Sequence, residues 1–409
     1  MSSSHNTGPL SGICVLDLSR ILAGPSATQI LGDLGAEIIK VERPNIGDDT
    51  RKWGPPFLMD KEGQASTESS YYLSTNRNKK SITIDFRQEE GQKLIHQLIA
   101  KADILVENYK TGGLAKYGLD YPSLREQYPH LIYASLTGFG QTGPLSKQAG
   151  YDFLIQAMGG IMSLTGEPNG MPMKTGVAIS DLMAGMYLNT AVLAALHHKN
   201  KTGHGQHIDL SLYDSQIAWL SNAGQSYLTS GNQTPRMGNA HPTIVPYEVF
   251  EASDGHFVLA IGNDRQFADF CKVANCSELS ENPDYQTNDA RVKNRHILVP
   301  ILQDIIKTKP KDTWIDLLEK EHVPTGNVQT ISEVFNHPQT TAREMVINMA
   351  HPDTDQDIKL IGNPIKMSET PVSYRHAPPK MGANTYDILT KILHLSDDEI
   401  ADLKSKKII

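Results

Sequence analysis

The chain has 409 residues, 39% hydrophobic and 21% charged, enough for two domains with sizeable cores. Its net charge of −8 argues against a nucleic-acid partner or an anionic membrane surface, so an anionic ligand must be met by local Arg, Lys and backbone N–H groups. Three cysteines, Cys14, Cys271 and Cys276, form no metal spacing and cannot all pair, which suits a reducing compartment.

The opening MSSSHNTGPL has neither the Arg-rich pattern of a transit peptide nor the apolar core of a signal peptide. The C-terminal KSKKII is not a peroxisomal address. No run of about 18 apolar residues occurs, so nothing is expected to span a membrane. A cytoplasmic location is the expectation.

ICVLDLS (13–19) reads as a short buried strand, followed by a helix over 25–36 with Pro25 near its start and Gly35 at its end. EIIKVER (37–43) and KSITIDF (80–86) read as strands, 89–102 as a helix, then DILVENY (103–109) and LIYASLTGFG (131–140) as further strands. Strands alternating with helices of this length predict a doubly wound, mostly parallel, Rossmann-like α/β sheet. A nearly all-apolar helix follows at 181–198, closed by Gly203, and then a strand at 207–215. The Gly-, Asn- and Pro-rich stretch 221–245 marks a boundary. Beyond it, 247–262 predicts two strands joined at Asp254–Gly255, with helices at 264–274, 290–308 and 310–320. The expected organisation is a large domain over 1–224, a smaller α+β domain over 225–335, and a tail, 336–409, returning to the large domain.

Candidate chemistry collects in the first half. In RILAGPSA (20–27), Arg20 and Gly24 occupy the first βα junction, where doubly wound sheets bind ligands. This turn is not a G-x-G-x-x-G, and no Walker A sequence occurs, so a nucleotide site is poorly supported. Arg43, Arg51, Arg77, Lys79 and Lys80 form three basic clusters, which together suggest a polyanionic ligand. GFGQTGP (138–144) is a glycine-rich loop whose N–H groups suit a developing oxyanion, although for the motif in isolation a plain turn is the stronger explanation. Neither a metal-ligand histidine spacing nor a G-x-S-x-G elbow is found. Ser180–Asp181, at the mouth of the apolar helix, first reads as a helix cap.

In order along the chain, LSGICVLDLSRILAGP (10–25), LGDLGAEIIKVERPNIGDDTR (31–51), YYLSTNRNKKSITID (71–85), ADILVENY (102–109), GFGQTGP with AGYDF (138–153), GVAISDLMAG (176–185) and KTGHGQHIDLSL (201–212) resemble the class III CoA-transferase family. Likeness continues through 238–263 and 284–295 and covers essentially the whole chain. It is greatest to the branch that exchanges CoA between succinyl-CoA and glutarate.

The resemblance implies an enzyme that moves coenzyme A between small carboxylic acids, with CoA as substrate and no metal. Asp181 matches the family's nucleophile, which passes through an aspartyl anhydride and an aspartyl-CoA thioester. Tyr151, Gly138 and Gly140 carry over as further catalytic residues. Arg20, Ile21, Ala23, Arg43, Ile84, Asn108 and Lys116 carry over as CoA contacts, Lys116 standing where some members have Arg. Arg51, Arg77 and Arg236 are candidates for a dicarboxylate's distal end. The family also implies an interlocked homodimer. Its formyl-CoA members carry a glycine run in the second domain that has no counterpart here.

Alternatives are a formyl-CoA/oxalate-type transferase and an α-methylacyl-CoA racemase. The racemases use a Gly-His-Asp segment, where this chain reads Gly150-Tyr151-Asp152. A phenol, which ordinarily titrates near about 10, is a poor partner for proton abstraction. Tyr151 therefore favours transferase over racemase. A CoA-binding protein without turnover would be expected to have lost the nucleophile, and Asp181 is present.

Overall fold

The computed structural model describes residues 8–409; the opening MSSSHNT, read above for targeting signals, lies outside them. The chain forms two units. One comprises the chain up to Gly159, Gly176–Ser221 and Gln339–Ile409; the other comprises Gly160–Thr175 and Asn222–Pro338. Residues 160–175, inside the range expected for the large domain, thus group with the smaller unit.

The larger unit begins with β1 (Cys14–Asp17), α1 (Ala23–Asp33) and β2 (Glu37–Glu42). A hairpin of β3 (Phe57–Met59) and β4 (Ala65–Ser69) leads to the single-turn α2 (Ser70–Leu73), then β5 (Lys79–Thr83), α3 (Glu89–Ile99) and β6 (Ile104–Glu107). After these come α4 (Tyr121–Leu124), β7 (Ile132–Thr137), α5 (Asp152–Met158), α6 (Ile179–Thr202), β8 (His207–Ser211) and α7 (Leu212–Ala218). Six of the strands make one sheet in the order β5-β2-β1-β6-β7-β8, every pair parallel.

Parallel strands covered on both faces are apolar on both faces, and the side chains here divide accordingly. Val15, Ile38, Ile104, Val106 and Ile132 face α1 and α6, packing on Ala27, Leu31, Ala184, Leu188 and Val192. Leu16, Ile39, Leu105 and Tyr133 belong to the opposite core, with Leu94 and Leu98 of α3 and with Leu389 and Leu403 from the C-terminal segment. That segment is bonded back to the first half of the chain: the Asp85 N–H donates to the Ile408 carbonyl at 2.7 Å and the Asn78 N–H to the His376 carbonyl at 2.7 Å. The strand order reverses direction between β1 and β6. Ligands in such sheets bind beyond the carboxyl ends of strands at that point.

The smaller unit carries an antiparallel sheet in the order β11-β10-β9, formed by β9 (Tyr247–Ala252), β10 (Gly255–Ala260) and β11 (Thr325–Asn327). Its core centres on Phe257, Phe267, Phe270 and Trp314. A last hairpin, β12 (Val346–Met349) with β13 (Ile358–Ile361), lies in the larger unit's C-terminal segment.

Three expectations are corrected. The strand expected over 207–215 ends at Ser211, whose hydroxyl accepts the Asp214 N–H and starts α7. The helix expected over 290–308 is two, Asn288–Lys293 and Arg295–Ile306, divided at Asn294. Among the described residues one helix, α6, is long and apolar enough by length and composition to cross a membrane. Half of its most apolar stretch is buried, as expected of a core helix lying on a sheet.

Candidate active site

α6 begins at Ile179 after Ala178, so Asp181 is the third helical residue rather than the cap. The Ser180 hydroxyl does not cap either; it donates to Gln216 Oε1 at 2.7 Å. The missing cap comes from α5. Asp152 Oδ1 accepts the Ser180 N–H at 2.9 Å, while Oδ2 accepts from Gln156 Nε2 at 2.8 Å. One helix thereby supplies the anion that the N-terminus of the next requires.

Asp181 is 9% exposed. It lines a cavity of about 390 Å³ with Arg20, Ile21, Ala23, Asn108, Lys110, Gly138 and Tyr151. Burial, and then the like charge of Asp152, push its carboxyl up to about 7. Tyr71 of α2 senses the same charges: burial, Asp181, Asp152 and Asp48 raise its hydroxyl to about 12. Its ring meets Trp53 edge-on at 5.2 Å.

Gly138 and Gly150 form the tightest part of the wall. A Cβ on Gly138 would fall 2.5 Å from Gly150 Cα, so only glycine allows the two backbones to meet. Gly140 does not serve as expected. Its N–H donates to Thr137 Oγ1 at 2.9 Å, and it does not line the Asp181 cavity. The loop 138–143 has G-x-G-x-x-G spacing but leads into turns, with no helix until α5. Tyr151 precedes α5 and is exposed on the cavity with Asp181, so a phenol occupies the racemase histidine's expected place.

A second cavity of about 360 Å³ shares Arg20, Tyr109 and Gly113 with the first and is also lined by Arg43, Ile84 and Lys116. Every residue expected at CoA therefore lines one of these two cavities, and Asn108 also braces the turn beside it. Arg43 and Lys116 are exposed and have no ion-pair partner among the described residues. Arg20 shares its charge with Asp49 at 2.8 Å.

Two of the three substrate arginines are corrected. Arg51 is buried, donating to Glu42 at 2.6 and 2.8 Å, to Glu68 at 2.6 and 2.8 Å, and to the Tyr72 hydroxyl at 2.6 Å. Arg77 is buried against Asp33 at 2.6 and 2.9 Å and donates to the Ile361 carbonyl at 2.7 Å. Neither lines the Asp181 cavity. Arg236 belongs to the smaller unit, where it donates to the Glu167 and Gly170 carbonyls at 3.2 and 2.7 Å.

Asp152, Tyr71, Gln216 and Lys110 were not singled out from the sequence. The signal for Asp152 was present in Gly150-Tyr151-Asp152, but nothing local shows that it caps a helix 28 residues on. Among the described residues, no group of three or more His, Cys, Asp or Glu side chains is placed to hold a metal ion.

Known proteins carry the same pattern. The chain is 44% identical over 408 residues to the succinyl-CoA:glutarate CoA-transferase of Homo sapiens, covering 100% of this chain and 91% of the relative. It is 46% identical over 387 residues to the succinate–glutarate CoA-transferase of Agrobacterium fabrum, covering 94% and 96%. The crystal structure of a CAIB/BAIF family protein from Brucella suis superposes with a TM-score of 0.84 at 46% identity, covering 94% of this chain and 100% of that one. The sequence pattern of CoA-transferase family III matches residues 10–385. The chain therefore belongs to CoA-transferase family III, enzymes that move coenzyme A between an acyl-CoA and a carboxylic acid.

Proposed function

We propose that this chain transfers coenzyme A from succinyl-CoA to glutarate or a similar short dicarboxylate, with Asp181 as nucleophile. The observation that carries the mechanism is a buried carboxyl raised to about 7, opening on a cavity beside one rimmed by Arg43 and Lys116. The substrate pair rests on what the human and Agrobacterium relatives are named for.

An Asp181 oxygen attacks the thioester carbon, forming a mixed anhydride and expelling CoA thiolate. The thiolate attacks the aspartyl carbonyl, leaving an Asp181–CoA thioester and releasing the donor acid as its carboxylate. The acceptor carboxylate then attacks that thioester, again expelling thiolate, and thiolate attack on the acceptor's acyl carbon regenerates Asp181. One exchange becomes several easier steps, and positioning within the cavity supplies much of the rate. Gly138 provides backbone beside the developing oxyanion, and Tyr151 orients the acid. Arg43 and Lys116 receive CoA phosphates, while Arg20, Ile21, Ala23, Ile84 and Asn108 form the walls along the cofactor's length.

The working form in this reading is an interlocked homodimer. Exposed Phe153, Leu154, Met158, Met186, Tyr187 and Leu193, on the helices that carry Asp152 and Asp181, support an oligomer.

Incubation with succinyl-CoA and a panel of acids tests the substrates: transfer to glutarate is expected, and transfer to formate or oxalate alone would refute the assignment. Asp181→Ala is expected to abolish exchange with the fold retained. Hydroxylamine should trap CoA-linked Asp181 in the wild type. Full exchange by the Ala variant would rule out the nucleophile.

A further inference from the structure

The turn from Ser19 to Leu22 adopts a backbone that its own sequence disfavours. Ile21 has φ +74°, where a β-branched residue is strained. Such a conformation persists only where its surroundings impose it.

Three side chains grip this backbone in succession. Lys40 Nζ donates to the Ser19 carbonyl at 2.9 Å. Asn108 brackets Arg20, accepting its N–H at 2.9 Å and donating to its carbonyl at 2.7 Å. The Asp48 carboxylate then accepts the Ile21 N–H, with both oxygens at 3.3 Å. Lys40 and Asp48 bind each other at 2.8 Å with fully buried side chains. Asp48 is fixed again by the Thr50 N–H at 3.0 Å and the Thr50 hydroxyl at 2.7 Å. Burial works against its charge, yet Lys40 and the Thr50 donors hold its carboxyl down at about 2.

We propose that the buried Lys40–Asp48 pair is a positioning device that holds Ile21 in its left-handed conformation and so shapes the turn that receives CoA. The proposal rests on the reading that CoA occupies the two cavities. Both residues lie along the second cavity, but their side chains are fully buried and bonded to each other and to this turn, so each acts through the backbone of 19–21. Lys40 also cancels the Asp48 charge, so the anchor adds no net negative charge beside a wall that meets phosphates.

The test is the dissociation constant of free CoA, measured by titration calorimetry on the full chain. Asp48→Ala strands a buried ammonium and risks unfolding, so the principal variant is Lys40→Met with Asp48→Leu, which replaces the pair by apolar groups. It is expected to weaken CoA about tenfold, the scale set by one strained residue, with kcat at saturation within about threefold of wild type. In an Ile21→Gly background the same replacement should weaken CoA no more than about twofold, because glycine adopts positive φ without strain. Equal weakening in both backgrounds, or none in either, overturns the proposal. Arg43→Ala with Lys116→Ala separates this from the reading beneath it. If those changes leave CoA affinity unaltered, the CoA site itself is wrong; if they weaken it and the pair replacement does not, only the positioning role fails.

Discussion

The carboxylate proposed to attack the thioester sits here where its charge is disfavoured. Burial and Asp152 raise the Asp181 carboxyl to about 7, and the same lack of water leaves the ionised form poorly solvated and basic. The acid limb of kcat/KM is therefore expected to have its midpoint near 7. Removing the like charge with Asp152→Asn should move that midpoint lower, while the amide oxygen still accepts the Ser180 N–H; an unmoved limb would show that Asp152 does not tune Asp181. Stability follows from the same residue. Its folded pKa lies above the ordinary 3.8, so the native state binds the extra proton between about 4 and 7. The contribution of Asp181 to stability is thus full at low pH and lost as pH rises through about 7. Asp181→Asn, which resembles the protonated acid, should raise the melting temperature well above wild type at pH 8, by less at pH 5, and little near pH 4. The opposite ordering in thermal melts would contradict a buried, raised carboxyl.

At the level of elements, α6 places Asp181 by lying close to α1, and Gly185 is the residue that permits the approach. A Cβ there would lie 2.6 Å from Ser26 Oγ and 2.9 Å from the Ala23 carbonyl oxygen. The serine can turn aside but the carbonyl belongs to the first turn of α1, so Gly185→Ala must push the helices apart. A loss of about 1–3 kcal/mol is expected by denaturant unfolding, with Ser26→Ala restoring only part of it. Much of this layer was legible: β1, β2, β6 and β7 are short apolar runs, and the buried faces of α1 and α3 follow helical spacing. The β3–β4 hairpin was not recognised, because its Asp60–Gly63 turn sits in a polar stretch with only short strands beside it. α7 was hidden because LSLYDS alternates like a strand, although Ser211 with Asp214 is a capping signal. Arg51 and Arg77 were misread for a different reason. Local sequence marks them as charged loop residues, while Glu68 and Asp33, which bury them, lie 17 and 44 residues away.

Across the larger unit, the expectation of an α6 apolar on all sides meets a structure that covers only one of them. Ala184, Leu188, Val192 and Ala195 are buried under the sheet, but Met186, Tyr187 and Leu193 are exposed. On α5, Phe153, Leu154 and Met158 are exposed as well. Single exposed apolar side chains are ordinary; six on the two helices that hold the candidate nucleophile and its capping carboxylate call for a cover. With no membrane-facing chemistry required by CoA transfer, a second copy of the chain is the cover we expect. Light scattering after size exclusion should give twice the 45.1 kDa of one chain at micromolar concentration. Met186→Glu with Leu193→Glu puts two carboxylates on that face. If it is solvent-exposed in the working enzyme, these changes should alter stability by no more than about 0.5 kcal/mol and leave exchange intact. If it is an interface, they should shift the protein toward monomer and lower exchange in proportion, because Asp181 is carried on the same helix. A wild-type chain that is monomeric and fully active would refute the dimer and leave these six side chains to another partner.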